Sequence, residues 1–134
     1  MSKLVIHNLI QENLVHKDNR GWLVELAEFA DGKGHKIENI HTGSISPGEI
    51  RANHFHNKQK EWIFVFGGKG IFVWREDSEV KQKKIEAGDK FLFEIDSGIT
   101  HAIKNIDSHD IFLCAFTNQK YNAENPDRIF DEII

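Results

Sequence analysis

Three imidazoles and one carboxylate recur at spacings that can hold a metal ion. His54 and His56 lie two residues apart on a β-prone run, so an extended backbone sends both rings from one face. Glu61 opens the next apolar run after the polar loop Asn57-Lys58-Gln59-Lys60, which is short enough to bring the chain back alongside. Far downstream, Gly98-Ile99-Thr100-His101 opens another β-prone run and can supply a third imidazole. Three neutral imidazoles and a carboxylate suit a borderline first-row divalent ion such as zinc, manganese, iron, nickel or cobalt. Four protein ligands leave room for water or substrate if the coordination expands, as a catalytic metal requires. The pattern allows one divalent metal bound by His54, His56, Glu61 and His101, with a metal-free barrel in which these histidines do acid–base work or pack as the alternative. The remaining histidines, His7, His16, His35, His41 and His109, have no partners at ligand spacing and read as surface or core residues.

The elements that would position these groups are short. Apolar runs with alternation occupy 22–26, 37–46, 50–56, 61–66, 70–75, 82–86, 90–95, 100–105 and 111–116. Strands recurring about every ten residues point to an all-β sandwich or barrel. Pro47-Gly48 marks a turn, Gly67-Gly68-Lys69-Gly70 reads as a hairpin turn, and Glu76 to Lys84 reads as a solvated hairpin end. A short turn of helix is expected near 127–133, and no segment carries a long apolar stripe at helical spacing. In the run Glu61-Trp62-Ile63-Phe64-Val65-Phe66, Trp62, Phe64 and Phe66 share the face opposite Glu61, and Phe72 and Trp74 in the next run are expected to extend it. So apolar a face needs a cover. A second subunit packed sheet on sheet, giving a homodimer, is the expectation, with burial under the chain's own N-terminal strand as the alternative. Cys114, inside Ile111-Phe112-Leu113-Cys114-Ala115-Phe116, reads as a small buried hydrophobe.

Composition narrows the function classes. The 134 residues are 40% hydrophobic and 28% charged, ordinary for one globular domain spanning 1–134. The formal charge of −4, with bases interleaved among acids, argues against nucleic acid as a partner. No apolar run has the roughly 18 residues of a membrane span, and the N-terminal apolar stretch is too short for a signal peptide. A cytoplasmic protein is expected. A single cysteine excludes an internal disulfide and is compatible with that compartment.

The spacing Gly48, five residues, His54-x-His56, four residues, Glu61, six residues, Gly68 resembles the first cupin motif in full. Gly88, Gly98, His101 and Asn105 resemble the second, with Asp96 where the usual proline stands and a gap after Gly88 two residues longer. The resemblance implies a double-stranded β-helix, the jelly-roll cupin barrel. Asp18-Asn19-Arg20-Gly21-Trp22-Leu23-Val24-Glu25 is similar to the opening segment of deoxysugar-nucleotide 3,5-epimerases and sugar ketoisomerases. Arg51, three residues before His54, resembles the same enzymes, with Ala52 in place of their glycine. The C-terminal cupin domain of capsular-polysaccharide biosynthesis reductases resembles the chain over roughly 16–131, including Tyr121 to Asp127.

These resemblances imply epimerisation or keto-isomerisation of a nucleotide-linked 4-keto-sugar in surface polysaccharide synthesis. Such chemistry needs a base, a group that stabilises an enolate oxygen, and cations for a diphosphate. Arg20 and Arg51 are the candidates for the diphosphate, because a guanidinium fork matches phosphate oxygens; Glu25 and Asn53 are candidates for the nucleoside or sugar. His54 matches the base of metal-free relatives and can act so only without a metal, since a coordinated lone pair takes no proton. The tyrosine acid of the epimerases aligns near Leu113 and Cys114. A metal-dependent oxygenase and a non-catalytic sugar-binding cupin are the alternatives from other classes.

Overall fold

The β-branched and aromatic runs fold into strands that close on themselves, and the structure, a computed structural model, describes residues 2–134. In chain order these are β1 (Leu4–Asn8), β2 (Val15–Asp18), β3 (Gly21–Val24), β4 (Asn39–Ile45), β5 (Ile50–Phe55) and β6 (Glu61–Phe66). They continue as β7 (Gly70–Glu76), β8 (Glu79–Ile85), β9 (Phe91–Ile95), β10 (His101–Asn105), β11 (Ile111–Thr117) and β12 (Ile129–Phe130). One short helix, α1 (Glu28–Asp31), precedes β4.

Two five-stranded antiparallel sheets face each other, in the orders β1-β9-β6-β11-β4 and β12-β5-β10-β7-β8, with β2 and β3 forming a separate ribbon. This is the expected jelly-roll cupin barrel. Their inner faces interdigitate through Ile63, Val65, Phe72, Phe93, Ile103 and Leu113. Phe72 stacks on Phe93 with centroids 3.9 Å apart. Full burial of each such side chain is worth roughly 1.5–3 kcal/mol, which makes this interior the main source of stability.

Two expectations about faces change. Gly67 to Lys69 does not form a hairpin, because β6 pairs with β9 and β11 whereas β7 pairs with β10 and β8. The chain crosses between sheets there, which resets which side chains point inward. Phe72 and Trp74 accordingly lie inside the barrel rather than extending the outer row of β6. Gly68 sits so close to β11 that a Cβ would lie 2.8 Å from Ile111 Cγ2, so the crossing needs a residue without one. The β7–β8 hairpin is a true one, turning through Asp77 and Ser78 at φ of 53° and 64°, as a two-residue primed turn requires.

The outer row of Trp62, Phe64 and Phe116 is covered by the chain's own residues 9–37. Leu9 and Ala30 are buried in this second cluster, with Val15, Val24, Leu26 and Phe29 packed against it. Trp62 stacks on Phe116 at 5.3 Å, and Trp22 meets Phe64 and Phe66 edge-on. Toward the far edge the cover runs out, leaving Ile40 and Phe112 exposed. Cys114, on the same outward face, is only half-buried.

At the other terminus the expected helix near 127–133 is absent. Ile129 and Phe130 form β12 against β5, and Asp131 N–H donates to the Asn53 carbonyl at 2.8 Å. Ile129, Phe130, Ile133 and Ile134 stand at helical spacing, but so short a helix is marginal in isolation, and pairing with a strand edge satisfies the backbone better than one helical turn would.

Candidate active site

Strand ends from both sheets deliver side chains to one open end of the barrel. His54 comes from the end of β5, His56 from just beyond it, Glu61 from the start of β6 and His101 from the start of β10. The four expected ligands meet, with one donor atom from each lying within 4.8 Å of all the others. Nε2 of His56 and Nε2 of His101 each lie 3.3 Å from Oε1 of Glu61. Donor atoms about 2.1 Å from one tetrahedral ion sit roughly 3.4 Å apart, so this spacing fits a first-row divalent metal.

Second partners fix which nitrogen faces the centre. His101 Nδ1 donates to the Ile99 carbonyl at 3.0 Å, and His56 Nδ1 donates to the Asp127 carbonyl. Both Nε2 atoms are thereby turned inward, as metal-binding imidazoles require. His101 Nε2 is buried and has no hydrogen-bond partner among the described residues, which costs free energy unless something occupies the centre.

Charge follows the same plan. Burial by itself would raise the Glu61 carboxyl, yet the imidazoles of His101 and His56 hold it below the usual carboxylate range. Burial, helped by His101 and His56, pushes His54 down to about 3, so its ring is neutral with a free lone pair. For His56 burial is outweighed by Glu61 and Asp127, and its pKa is raised.

A backbone irregularity aims His54. The β5–β10 register slips between His101 and Ala102, and Ala52 and Asn53 adopt left-handed φ of 74° and 55°. A bulge of this kind bends a strand and redirects the next side chain. The position where the similar enzymes carry glycine holds Ala52, which bears the strain of that conformation.

His54, His56 and Glu61 line a cavity of about 860 Å³, with the fully buried His101 behind them, and its walls include His41, Lys58, Gln119, Tyr121, Asn125 and Arg128. The C-terminal segment makes one wall. The Asp127 carboxylate accepts from the backbone N–H groups of Asn57, Lys58 and Gln59 at 2.8–2.9 Å, tying this wall to the loop between His56 and Glu61.

The expected substrate residues are not brought together there. Arg20, 86% exposed, forks onto Asp18 at the β2–β3 turn. Arg51 donates to the Ser44 carbonyl on the surface. Asn53 holds the chain end, accepting from Ile133 and Ile134 N–H and donating to the Ile134 carbonyl. Glu25 lines a separate hollow with His7, His16 and Phe29. Leu113, where the epimerase tyrosine aligns, packs in the barrel core.

The cavity instead contains groups the sequence did not single out. His41, read as a surface or core residue, points inward from β4 with Nε2 3.9 Å from Glu61 Oε2. Its alternation with Ile45 on an edge strand is the only sequence signal for that direction. Tyr121 also faces the cavity, 59% exposed. Asp96, at the proline position of the cupin pattern, accepts from Lys60 Nζ and Lys3 N–H.

Residues 16–129 match the family described as "Polysaccharide biosynthesis C-terminal domain". The chain is 26% identical over 125 residues to the spore coat polysaccharide biosynthesis protein SpsL of Bacillus subtilis, covering 88% of this chain and 83% of that protein. It is 30% identical over 115 residues to the UDP-2-acetamido-2,6-beta-L-arabino-hexul-4-ose reductase of Pseudomonas aeruginosa, covering 84% of this chain but only 30% of the reductase. QdtA, a sugar 3,4-ketoisomerase of Thermoanaerobacterium thermosaccharolyticum solved with TDP, shares the fold at a TM-score of 0.75 and 12% identity, over 96% of this chain and 88% of its own. Among the described residues no helix is long and apolar enough to cross a membrane.

Proposed function

We propose, because the chain belongs to the polysaccharide biosynthesis C-terminal domain family, that it epimerises or keto-isomerises a nucleotide-linked 4-keto-hexose destined for a surface polysaccharide. One divalent metal is held by His54, His56, Glu61 and His101. The observation that carries this reading is an imidazole outside the ligand set, His41, facing the same cavity 3.9 Å from Glu61. A ketone acidifies its neighbouring C–H bonds. A base that takes the proton leaves the electron pair on the ketone oxygen as an enolate, and reprotonation from the other face inverts the carbon.

His54 can be that base only in a metal-free site, whereas His41 has a lone pair free to take the proton in either case. When bound, the metal supplies positive charge for a carbonyl oxygen. Asn122 and Asn125 of the C-terminal wall orient the sugar. The names of the relatives support the substrate class: one acts on a UDP-linked hexulose and another is a sugar ketoisomerase. A nucleotide-sugar substrate and a lone cysteine suit the cytoplasm.

The native form is a homodimer. The surface left bare beside the N-terminal cover, with Ile40, Phe112 and Trp22 exposed, supports it. Light scattering that gives a monomer rejects the dimer.

The test is deuterium wash-in from D2O at the carbons flanking the ketone, followed by NMR. His41→Ala abolishes wash-in at unchanged metal content, whereas His54→Ala and Glu61→Ala lose the metal. Wash-in that persists in His41→Ala removes His41 as the base. Metal content that survives both ligand changes removes the ligand set, and tight binding without any wash-in makes the chain a sugar-binding module.

A further inference from the structure

Lys58, Lys120 and Arg128 line the mouth of the cavity around the ligand cluster. Among the described residues none of the three has a carboxylate within 4 Å; Lys3, Lys17, Lys33, Arg51, Lys69, Lys83, Lys90 and Lys104 are likewise without one, and what sets these three apart is that they share one cavity with the ligand cluster. Two carboxylates lie in the cavity wall, and neither is available to these cations. Glu61 is taken up by the imidazoles, and Asp127 is committed to three backbone N–H groups, one of them that of Lys58 itself. In a chain of net charge −4, three cations without a carboxylate partner thus face one concave place. A concave, partly desolvated wall focuses that field on whatever anion enters.

We infer that Lys58, Lys120 and Arg128 form the subsite for the diphosphate of a nucleoside diphosphate. The inference rests on the substrate class proposed above and names the groups that bind its charged part. The sugar extends inward toward His41 and the ligand cluster, the diphosphate stays at the mouth, and Tyr121 offers a ring face to the base. Arg20 and Arg51 are then dispensable for the diphosphate within one chain, since both are engaged outside the cavity.

The experiment is calorimetric binding of UDP and dTDP, with uridine, thymidine and inorganic pyrophosphate as comparisons, to the full chain loaded with metal. The full chain is expected to bind the diphosphates at least about tenfold more tightly than the nucleosides. A variant combining Lys58→Ala, Lys120→Ala and Arg128→Ala is expected to lose that advantage while its metal content stays unchanged. A second reading uses the unaltered chain alone: about tenfold more salt weakens UDP binding and leaves uridine binding unmoved. Equal binding of UDP by the triple variant overturns the subsite and leaves the substrate class standing. Failure of the unaltered chain to bind either diphosphate overturns both. Pyrophosphate bound as tightly as UDP overturns the nucleotide as the ligand.

Discussion

The two chain ends cover the barrel by opposite means. Residues 9–37 lie over the outer aromatic face of one sheet and are held by apolar burial, with Leu9, Ala30, Val24 and Phe29 against Trp62, Phe64 and Phe116. Residues 118–134 wall the open end and are held by polar contacts: Asp127 on three backbone amides, Asp131 on Arg75 and Thr100, and Asn53 on the last two residues. Apolar cover is forgiving in direction, so it serves stability. Hydrogen bonds fix atoms to within tenths of an ångström, so they serve the end where the ligands must converge.

The sharpest way to break that contrast is to empty the N-terminal cover. Trp62→Ala should cost about 3–5 kcal/mol in denaturant unfolding, because the buried indole leaves a cavity that α1 and the ribbon cannot fill. Metal affinity, measured by chelator competition on the folded fraction, should change far less. Asp127→Ala should do the reverse. It frees three amides and lets the segment that fixes His56 drift, so metal affinity should fall roughly 10–100-fold while the unfolding midpoint moves little. If Trp62→Ala strips the metal and Asp127→Ala leaves it, the division of labour is wrong.

A smaller effect comes from the one polar stitch within the apolar cover. Glu94 lies 2.8 Å from Lys60 Nζ and 2.9 Å from His7 Nε2. Burial alone would raise its carboxyl, but the hydrogen bonds from Lys60 and His7 prevail and hold it at about 2. A carboxyl depressed in the folded state contributes stability that is complete above its unfolded value of 4.5 and disappears as the pH falls toward 2. Glu94→Gln should therefore lower stability at neutral pH and flatten the loss between about pH 4.5 and 2, read from unfolding midpoints along a pH series. An unchanged acid limb would remove Glu94 from the account. The smallest effect should come from Ala52→Gly, which relieves a left-handed alanine at φ 74° and should stabilise by up to about 1 kcal/mol.

What was legible in the sequence follows the same line. β6 occupies the expected 61–66, because an uninterrupted β-prone apolar run bounded by a polar loop and two glycines is a strand buried on both faces. The meeting of His54, His56, Glu61 and His101 was legible because turn glycines and imidazoles two apart are local patterns. Facing was not legible where the chain changes sheet. Alternation fixes which residues share a side, but the crossing at Gly67–Lys69 decides which side is inside, and it turned Phe72 and Trp74 inward. The cavity walls were least legible of all. Asp127 meets residues 57–59 across about 70 positions of chain, and His41 stands on an edge strand between the exposed Ile40 and Thr42, where polarity does not sort by face.

The crossover of the chain between sheets also sets the order of events in folding. Apart from the β7–β8 hairpin and the β2–β3 ribbon, no strand among the described residues pairs with its neighbour in sequence. Almost every ladder must therefore close a long loop before it gains anything, the situation in which domains fold in milliseconds to seconds rather than microseconds. Glu61 belongs to one sheet, while His54 and His101 belong to the other. A nascent or half-folded chain thus has no preformed place for an ion, and the convergence of His54, His56, Glu61 and His101 is among the last things the chain makes.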